Sequence, residues 1–172
     1  RTTYQEVDGH PMQFVSPSAK VNLNIIDLSK MPAAEREAEG NRILVEEGKR
    51  KFDFVHDLML RTILMKMDEN EHILLLVSHH IASDGQSKAV LFRELKTFYV
   101  AACEGKTVNL PPLPIQYSDY AVWQRDWMSG DVLNQHLSFW KDTLAGAPML
   151  LELRKDNPRP AAQSFEGARQ FL

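Results

Sequence analysis

Cysteine is nearly absent from this chain of 172 residues: Cys103 stands alone, so no disulfide can close within it. That suits a reducing compartment, and a cytoplasmic protein is expected. Long apolar runs are missing as well. Ile73 to Val77 is the size of a strand and far short of a membrane span. Residues 1–30 lack the basic start and following apolar stretch of a secretory leader. Nor does charge of one sign dominate, since 20 Lys and Arg oppose 23 Asp and Glu for a net charge of −3. Electrostatics therefore gives no reason to expect nucleic acid or an anionic membrane as a partner. There is no internal repeat and no low-complexity tract. What is present is globular in character, 44% hydrophobic and 25% charged, and long enough for one domain with a real core.

Local patterns predict a mixed α/β fold. Asp8-Gly9 is a hairpin turn signal between Thr2–Val7 and Met12–Val15. Val21, Leu23 and Ile25 alternate with Asn22 and Asn24, the mark of a half-buried strand. Pro32 to Lys51, rich in Ala, Glu and Arg, reads as an exposed helix in spite of Gly40 and Gly48. Leu58–Met67 and Glu71–Ser78 read as a strand pair joined by the polar turn Asp68 to Glu71. The second strand is apolar on both faces, which predicts a central place in the sheet. Beyond Gly85, Leu91, Leu95, Phe98 and Ala102 keep helical spacing, and Gly105 falls where a C-cap belongs. Leu110–Pro114, with three prolines, is extended linker. Two helices follow. Tyr117, Tyr120, Gln124 and Trp127 define a face of the first, and Asp131 is the expected N-cap of the second, which carries Leu133, Leu137, Trp140 and Leu144. Tyr120, Trp123, Trp127 and Trp140 are expected in the core. Asn157–Pro160 is a loop, and Ser164–Leu172 is expected to be a last strand.

The chemical signal is His79-His80-Ile81-Ala82-Ser83-Asp84-Gly85: a strand ending in two histidines, then a turn, then a helix. Strand ends and the loops after them are where α/β proteins place their chemistry. Adjacent strand residues point to opposite faces, so the two imidazoles diverge and cannot easily clamp one metal ion; no cysteine cluster assists. Instead, one histidine can be buried as structure while the other enters a cavity. By alternation His80 shares its side with Ser78 and Leu76. Asp84 has two readings: a cap for the helix opening near Gly85, or a buried carboxylate paired with an arginine. Arg61, on the strand face of Met59, Ile63 and Met65, is a candidate for that pairing, because a charge there needs a partner. Gly85 is expected to supply room or an unusual backbone angle for the turn.

His79 to Gly85 matches the His-His-x-x-x-Asp-Gly signature shared by condensation domains and chloramphenicol acetyltransferase-like acyltransferases. Tyr117 to Arg125 resembles the Tyr-x-Asp-Tyr-Ala-x-Trp-Gln-Arg block of the condensation domains of non-ribosomal peptide synthetases. Leu110–Pro114, Phe139-Trp140, Asp156–Pro160 and Ser164–Gly167 are similar to that family in order and spacing. Arg1-Thr2 resembles the close of its Arg-His-Glu-x-x-Arg-Thr motif. Gln86 departs from the family, whose peptide-forming members often carry tryptophan there.

This resemblance implies a chloramphenicol acetyltransferase-like lobe with a mixed sheet flanked by helices. Residues 1–172 would be a partial condensation domain, most of the N-terminal lobe, with the C-terminal lobe absent. The chain's start at Arg1 without methionine fits a fragment, expected to be inactive in isolation. The implied activity is amide bond formation in secondary metabolite biosynthesis, between an acyl or peptidyl thioester and an aminoacyl acceptor. Both substrates would ride on the phosphopantetheine of donor and acceptor peptidyl carrier domains, with an adenylation domain adjacent and no cofactor on this chain. His80 would be the catalytic imidazole. His79 would be structural, Asp84 would hold the loop, and Gly85 would let backbone approach the reacting centre. Arg1 would be the partner of Asp84, with Arg61 kept as the alternative. The alternatives are an epimerization domain, a non-catalytic module that recruits partner enzymes, and an acyltransferase using coenzyme A.

Overall fold

Each run of residues with strand periodicity finds a partner through the turn that follows or the helix that crosses. The computed structural model describes residues 1–150, 152–158 and 160–163. The expected last strand at Ser164–Leu172, the Ser164–Gly167 motif and Arg159 lie outside the described residues. The chain divides into two units, Arg1–Pro114 and Ile115–Leu172.

In the first unit, β1 (Thr2–Val7) and β2 (His10–Val15) form an antiparallel hairpin. Asp8 and Gly9 both take positive φ, 50° and 77°, the geometry that matches a two-residue turn to the twist of its strands. A second sheet has the order β3-β4-β5, from Leu23–Asp27, Leu60–Lys66 and His72–Ser78. β3 runs parallel to β4 and reaches it through helix α1 (Ala33–Lys49), while β4 and β5 pair antiparallel with Ile63 opposite Leu75. Helix α2 (Gly85–Cys103) follows, and Gly105 at φ 66° ends it.

α1 lies on one face of this sheet. Ile43 of α1, Ile63 and Met65 of β4, and the flanking Leu28 and Met67 form the core; Leu44, Ile26, Ile73 and Leu75 pack around it. Met65 is fully buried at 0% exposure. Gly40 lets α1 sit close: a Cβ there would stand 3.4 Å from the Met67 methyl. Away from the sheet, Arg42 bridges Glu39 and Glu46 along the exposed side of α1, a solvated charged surface.

Two expectations about this sheet are corrected. β5 is an edge strand among the described residues, and β4 is central. Apolarity on both faces reports what covers a strand above and below, not whether hydrogen-bonded neighbours flank it. β3 also differs: Leu23 and Ile25 are exposed, 50% and 65%, and Ile26 is the residue that packs on the core. The alternation with asparagine points to the wrong face, because α1 covers the side of Ile26, Ile63 and Leu75.

In the second unit, α3 spans Tyr117–Trp127 and α4 spans Gly130–Thr143. The N-cap of α4 is Ser129, and Asp131 lies in its first turn, where it favours the helix dipole without capping. The aromatic residues expected in a core are instead exposed: Tyr120 38%, Trp123 54%, Trp127 44% and Trp140 55%. Tyr120, Trp123 and Trp127 line up along α3, with Trp123 and Trp127 parallel at 5.5 Å and Trp127 edge-on to His136 at 5.9 Å, while Trp140 meets Phe139 edge-on at 5.3 Å. Helical spacing puts Tyr120, Trp123 and Trp127 on one side of α3, but so small a unit has little interior to hold them.

Truncating the centre of the core tests its weight. Met65→Ala leaves a cavity between β4 and α1 and should lower stability by about 2–5 kcal/mol, read as a fall in the urea midpoint at unchanged slope.

Candidate functional site

β5 delivers the histidine pair and β4 holds it in register. The His79 N–H donates to the Met59 carbonyl at 3.2 Å, extending the β4–β5 ladder past its last formal pair. The chain then turns: Ala82 N–H donates to the His79 carbonyl at 3.1 Å. Ser83 Oγ donates to the same carbonyl at 3.1 Å and sits 2.9 Å from Ser78 Oγ.

The His79 ring is half-buried. Ile81 N–H donates to its Nδ1 at 3.0 Å, so Nδ1 serves as the acceptor nitrogen of the ring. Phe54 meets the ring edge-on at 4.8 Å and Phe52 at 5.7 Å. Tyr4 reaches the same place from β1. Its O–H donates to the Ile81 carbonyl at 3.2 Å, its N–H to the Phe54 carbonyl at 2.8 Å, and its ring lies edge-on to Phe54. His79 is thus tied into the turn through its ring. His80 is exposed, the first residue beyond the fixed ring.

Asp84 is the N-cap of α2. Its backbone is extended, at φ −137° and ψ −167°, and its Oδ1 accepts from Ser87 N–H at 2.8 Å and Ser87 Oγ at 2.7 Å. The Ser87 N–H and hydroxyl hold its carboxyl below the usual aspartate range. The buried ion-pair reading is therefore corrected, since Asp84 is exposed and is bonded to neither arginine. Arg1 donates instead to the carbonyls of Ser16 (2.9 Å) and Pro17 (3.5 Å) at the end of the β2 hairpin. Gly85 is corrected too. Its φ is not positive, and a Cβ there would meet nothing within 4 Å. The extended backbone of Asp84 makes the turn, and Gly85 simply begins the helix.

Arg61 shares the α1 side of the sheet with Ile63 and Met65, as its strand position requires, and its work lies at the end of α1. Its guanidinium donates to the carbonyls of Glu47 (3.0 Å), Arg50 (2.7 Å) and Lys51 (3.2 Å). Its Nε faces Glu47 Oε2 at 3.4 Å, and its Cζ lies 3.8 Å from the centre of the Phe52 ring. Burial, with the Arg50 charge second, lowers its pKa from the ordinary arginine value. Sequence reasoning misses Phe52, Phe54 and Tyr4; lone aromatics in a loop and an edge hairpin carry no periodic signal.

A cavity of about 490 Å³ opens beside the turn, bordered by Ser78, Ser83, Ser87, Lys88, Arg1 and apolar residues including Leu60 and Leu91. His80 is not part of its lining. Among the described residues, no three His, Cys, Asp or Glu side chains are placed to hold a metal ion.

A family model described as Condensation domain matches residues 1–172. A linear gramicidin synthase protein of Brevibacillus parabrevis is 45% identical over 168 residues, which is 98% of this chain and 2% of that protein. The X-domain of teicoplanin biosynthesis, solved in complex with OxyB, has a TM-score of 0.79 at 31% identity over 94% of this chain and 35% of the solved one. The epimerization domain from the third module of tyrocidine synthetase B shares the fold, with a TM-score of 0.70 at 21% identity over 88% of this chain and 34% of the solved one.

The cap gives a test of local chemistry. Asp84→Ala should lower the Tm by about 2–4 °C, whereas Asp84→Asn, which still caps, should retain most of the stability. The carboxyl is held low in the folded state, so its stabilisation is complete above the ordinary aspartate range and lost as pH falls through the lower folded value. Melting curves should therefore show the gap between wild type and Asp84→Ala shrinking as the pH is lowered below the ordinary aspartate range.

Proposed function

Because the chain belongs to the condensation-domain family of non-ribosomal peptide synthetases, we propose that the intact domain joins a donor acyl or peptidyl thioester to an acceptor amine. The observation that carries this reading is the asymmetry of the histidine pair. His79 is locked into the turn through its ring, while the adjacent His80 is exposed and free to meet substrate.

The chemistry follows from that division. The acceptor's α-amino group titrates near neutrality, so a large share is already nucleophilic. Its nitrogen attacks the thioester carbonyl, forming C–N and breaking C–S, and the sulfur leaves as the thiolate of the donor phosphopantetheine. His80 orients the amine, takes the proton that nitrogen sheds and returns it to the thiolate. Carrier domains bring both substrates, and their tethers raise the effective concentration, so modest chemical help suffices. The chain spans 2% of the gramicidin synthase protein and about a third of the solved domains it matches. In this proposal a second lobe completes the site, and an adenylation domain loads the neighbouring carrier. Asp84 holds the start of α2, and Arg1 and Arg61 brace the hairpin and the α1 end around the site.

A second reading has a specific observation behind it. The X-domain relative was solved bound to OxyB, so a module that recruits a partner enzyme is the competing possibility. The intact His-His-x-x-x-Asp-Gly run favours catalysis, since a platform has no need of it.

The test uses the full-length protein with loaded donor and acceptor carriers. Mass spectrometry should show the amide product on the acceptor carrier, and His80→Ala should reduce its rate by about 10²-fold or more at an unchanged circular dichroism spectrum. Undiminished transfer by His80→Ala would reject the assignment. Binding of a partner with no transfer by the wild type would favour the recruitment reading, and stereochemical inversion on a single carrier would favour epimerization.

A further inference from the structure

The loop between α1 and β4 does more than connect. It places Phe52 between two groups: the Arg61 guanidinium, 3.8 Å from its ring centre, and the His79 imidazole, edge-on at 5.7 Å. Phe54 presses on His79 from the same loop at 4.8 Å. Asp53 stiffens the loop between them, since its Oδ1 accepts from Val55 N–H at 2.9 Å and His56 N–H at 3.3 Å.

The backbone around His80 shows what this clamp controls. The peptide unit before His79 is held through its N–H to Met59. The carbonyl of His79 accepts from Ala82 N–H and Ser83 Oγ. The peptide unit just after His80 is held by its N–H, which belongs to Ile81 and ends on the His79 ring. One of the tethers fixing the His80 backbone is therefore an imidazole, and that imidazole is oriented by two phenyl rings. A rotation of the His79 ring releases or drags the Ile81 amide and re-aims His80.

We propose that Phe52, pinned beneath Arg61 and aided by Phe54, is a positioning residue for His80, acting through the ring of His79. This rests on the amide-forming reading above and names residues for which that reading has no role. None of the three touches substrate; they hold a catalytic side chain in its productive direction, where small displacements are costly.

The experiment is steady-state transfer in the full-length protein, with kcat, KM for each carrier and Tm measured together. Phe52→Leu keeps the bulk but loses the flat edge, and should lower kcat about tenfold with KM within about twofold and the Tm nearly unchanged. Phe52→Tyr, which keeps the ring, should restore kcat. Should Phe52→Leu fold poorly, Phe54→Leu leaves the Arg61 stack intact and should show the same loss confined to kcat. Two results would overturn the proposal: kcat unchanged in both leucine variants while His80→Ala is inactive, or kcat, KM and Tm all deteriorating together. The first would leave the amide-forming reading standing. Full transfer by His80→Ala would remove that reading and this one with it.

Discussion

A guanidinium largely withdrawn from water must find acceptors, and a helix that ends against a sheet must find donors for its last carbonyls. Arg61 answers both needs at once. It lies on the central strand, 11% exposed, and satisfies the carbonyls of Glu47, Arg50 and Lys51 where α1 stops. Its positive charge also stands at the negative end of the α1 dipole. The end of α1 is thereby fixed to β4, and so is the start of the loop that carries Phe52. The aromatic contacts of Phe52 are placed from this junction.

The sheet adds the second constraint. Strand side chains alternate between faces, so residues 61, 63 and 65 share the α1 side, as do Ile73 and Leu75 across the ladder. Extending β5 by its own period carries His79 to the same side, where Phe52 and Phe54 lie. Its neighbour is left out of that packing. Two identical side chains thus acquire different surroundings from one residue's difference in register, and the turn closed by Ala82 and Ser83 keeps that difference from relaxing. The site is accordingly a product of strand parity and helix termination, with the histidines as its visible end.

Much of this was legible in the residues. The Asp8-Gly9 hairpin, the β4–β5 pair, the helix after Gly85 and the two helices beyond the prolines all stand where turn chemistry and periodicity predict. The resemblance carried by His79–Gly85 and Tyr117–Arg125 led to the family that the comparisons show. What was not legible depended on contacts between elements. Which side of β3 faces inward is decided by where α1 lies, not by the polarity of Asn22 and Asn24. Arg61 lies on the strand face its position predicts but has other partners, because three backbone carbonyls at a helix end leave no mark in a sequence. Asp84 satisfied the plainer of its two readings. The rings of α3 followed helical spacing faithfully, yet spacing selects a side of a helix and cannot say whether anything covers it.

The exposed side of the β3-β4-β5 sheet has its own consequence. Leu23, Ile25 and Leu74 meet water there, and both rims of the sheet offer unpaired peptide groups among the described residues. These are separate routes to aggregation, one through greasy surface and one through strand addition. Sulfate would aggravate the first by salting out hydrocarbon, while a lysine introduced on a rim would hinder the second alone. Anyone handling these residues apart from the rest of their protein would have two different kinds of precipitate to prevent, and no single buffer would prevent both.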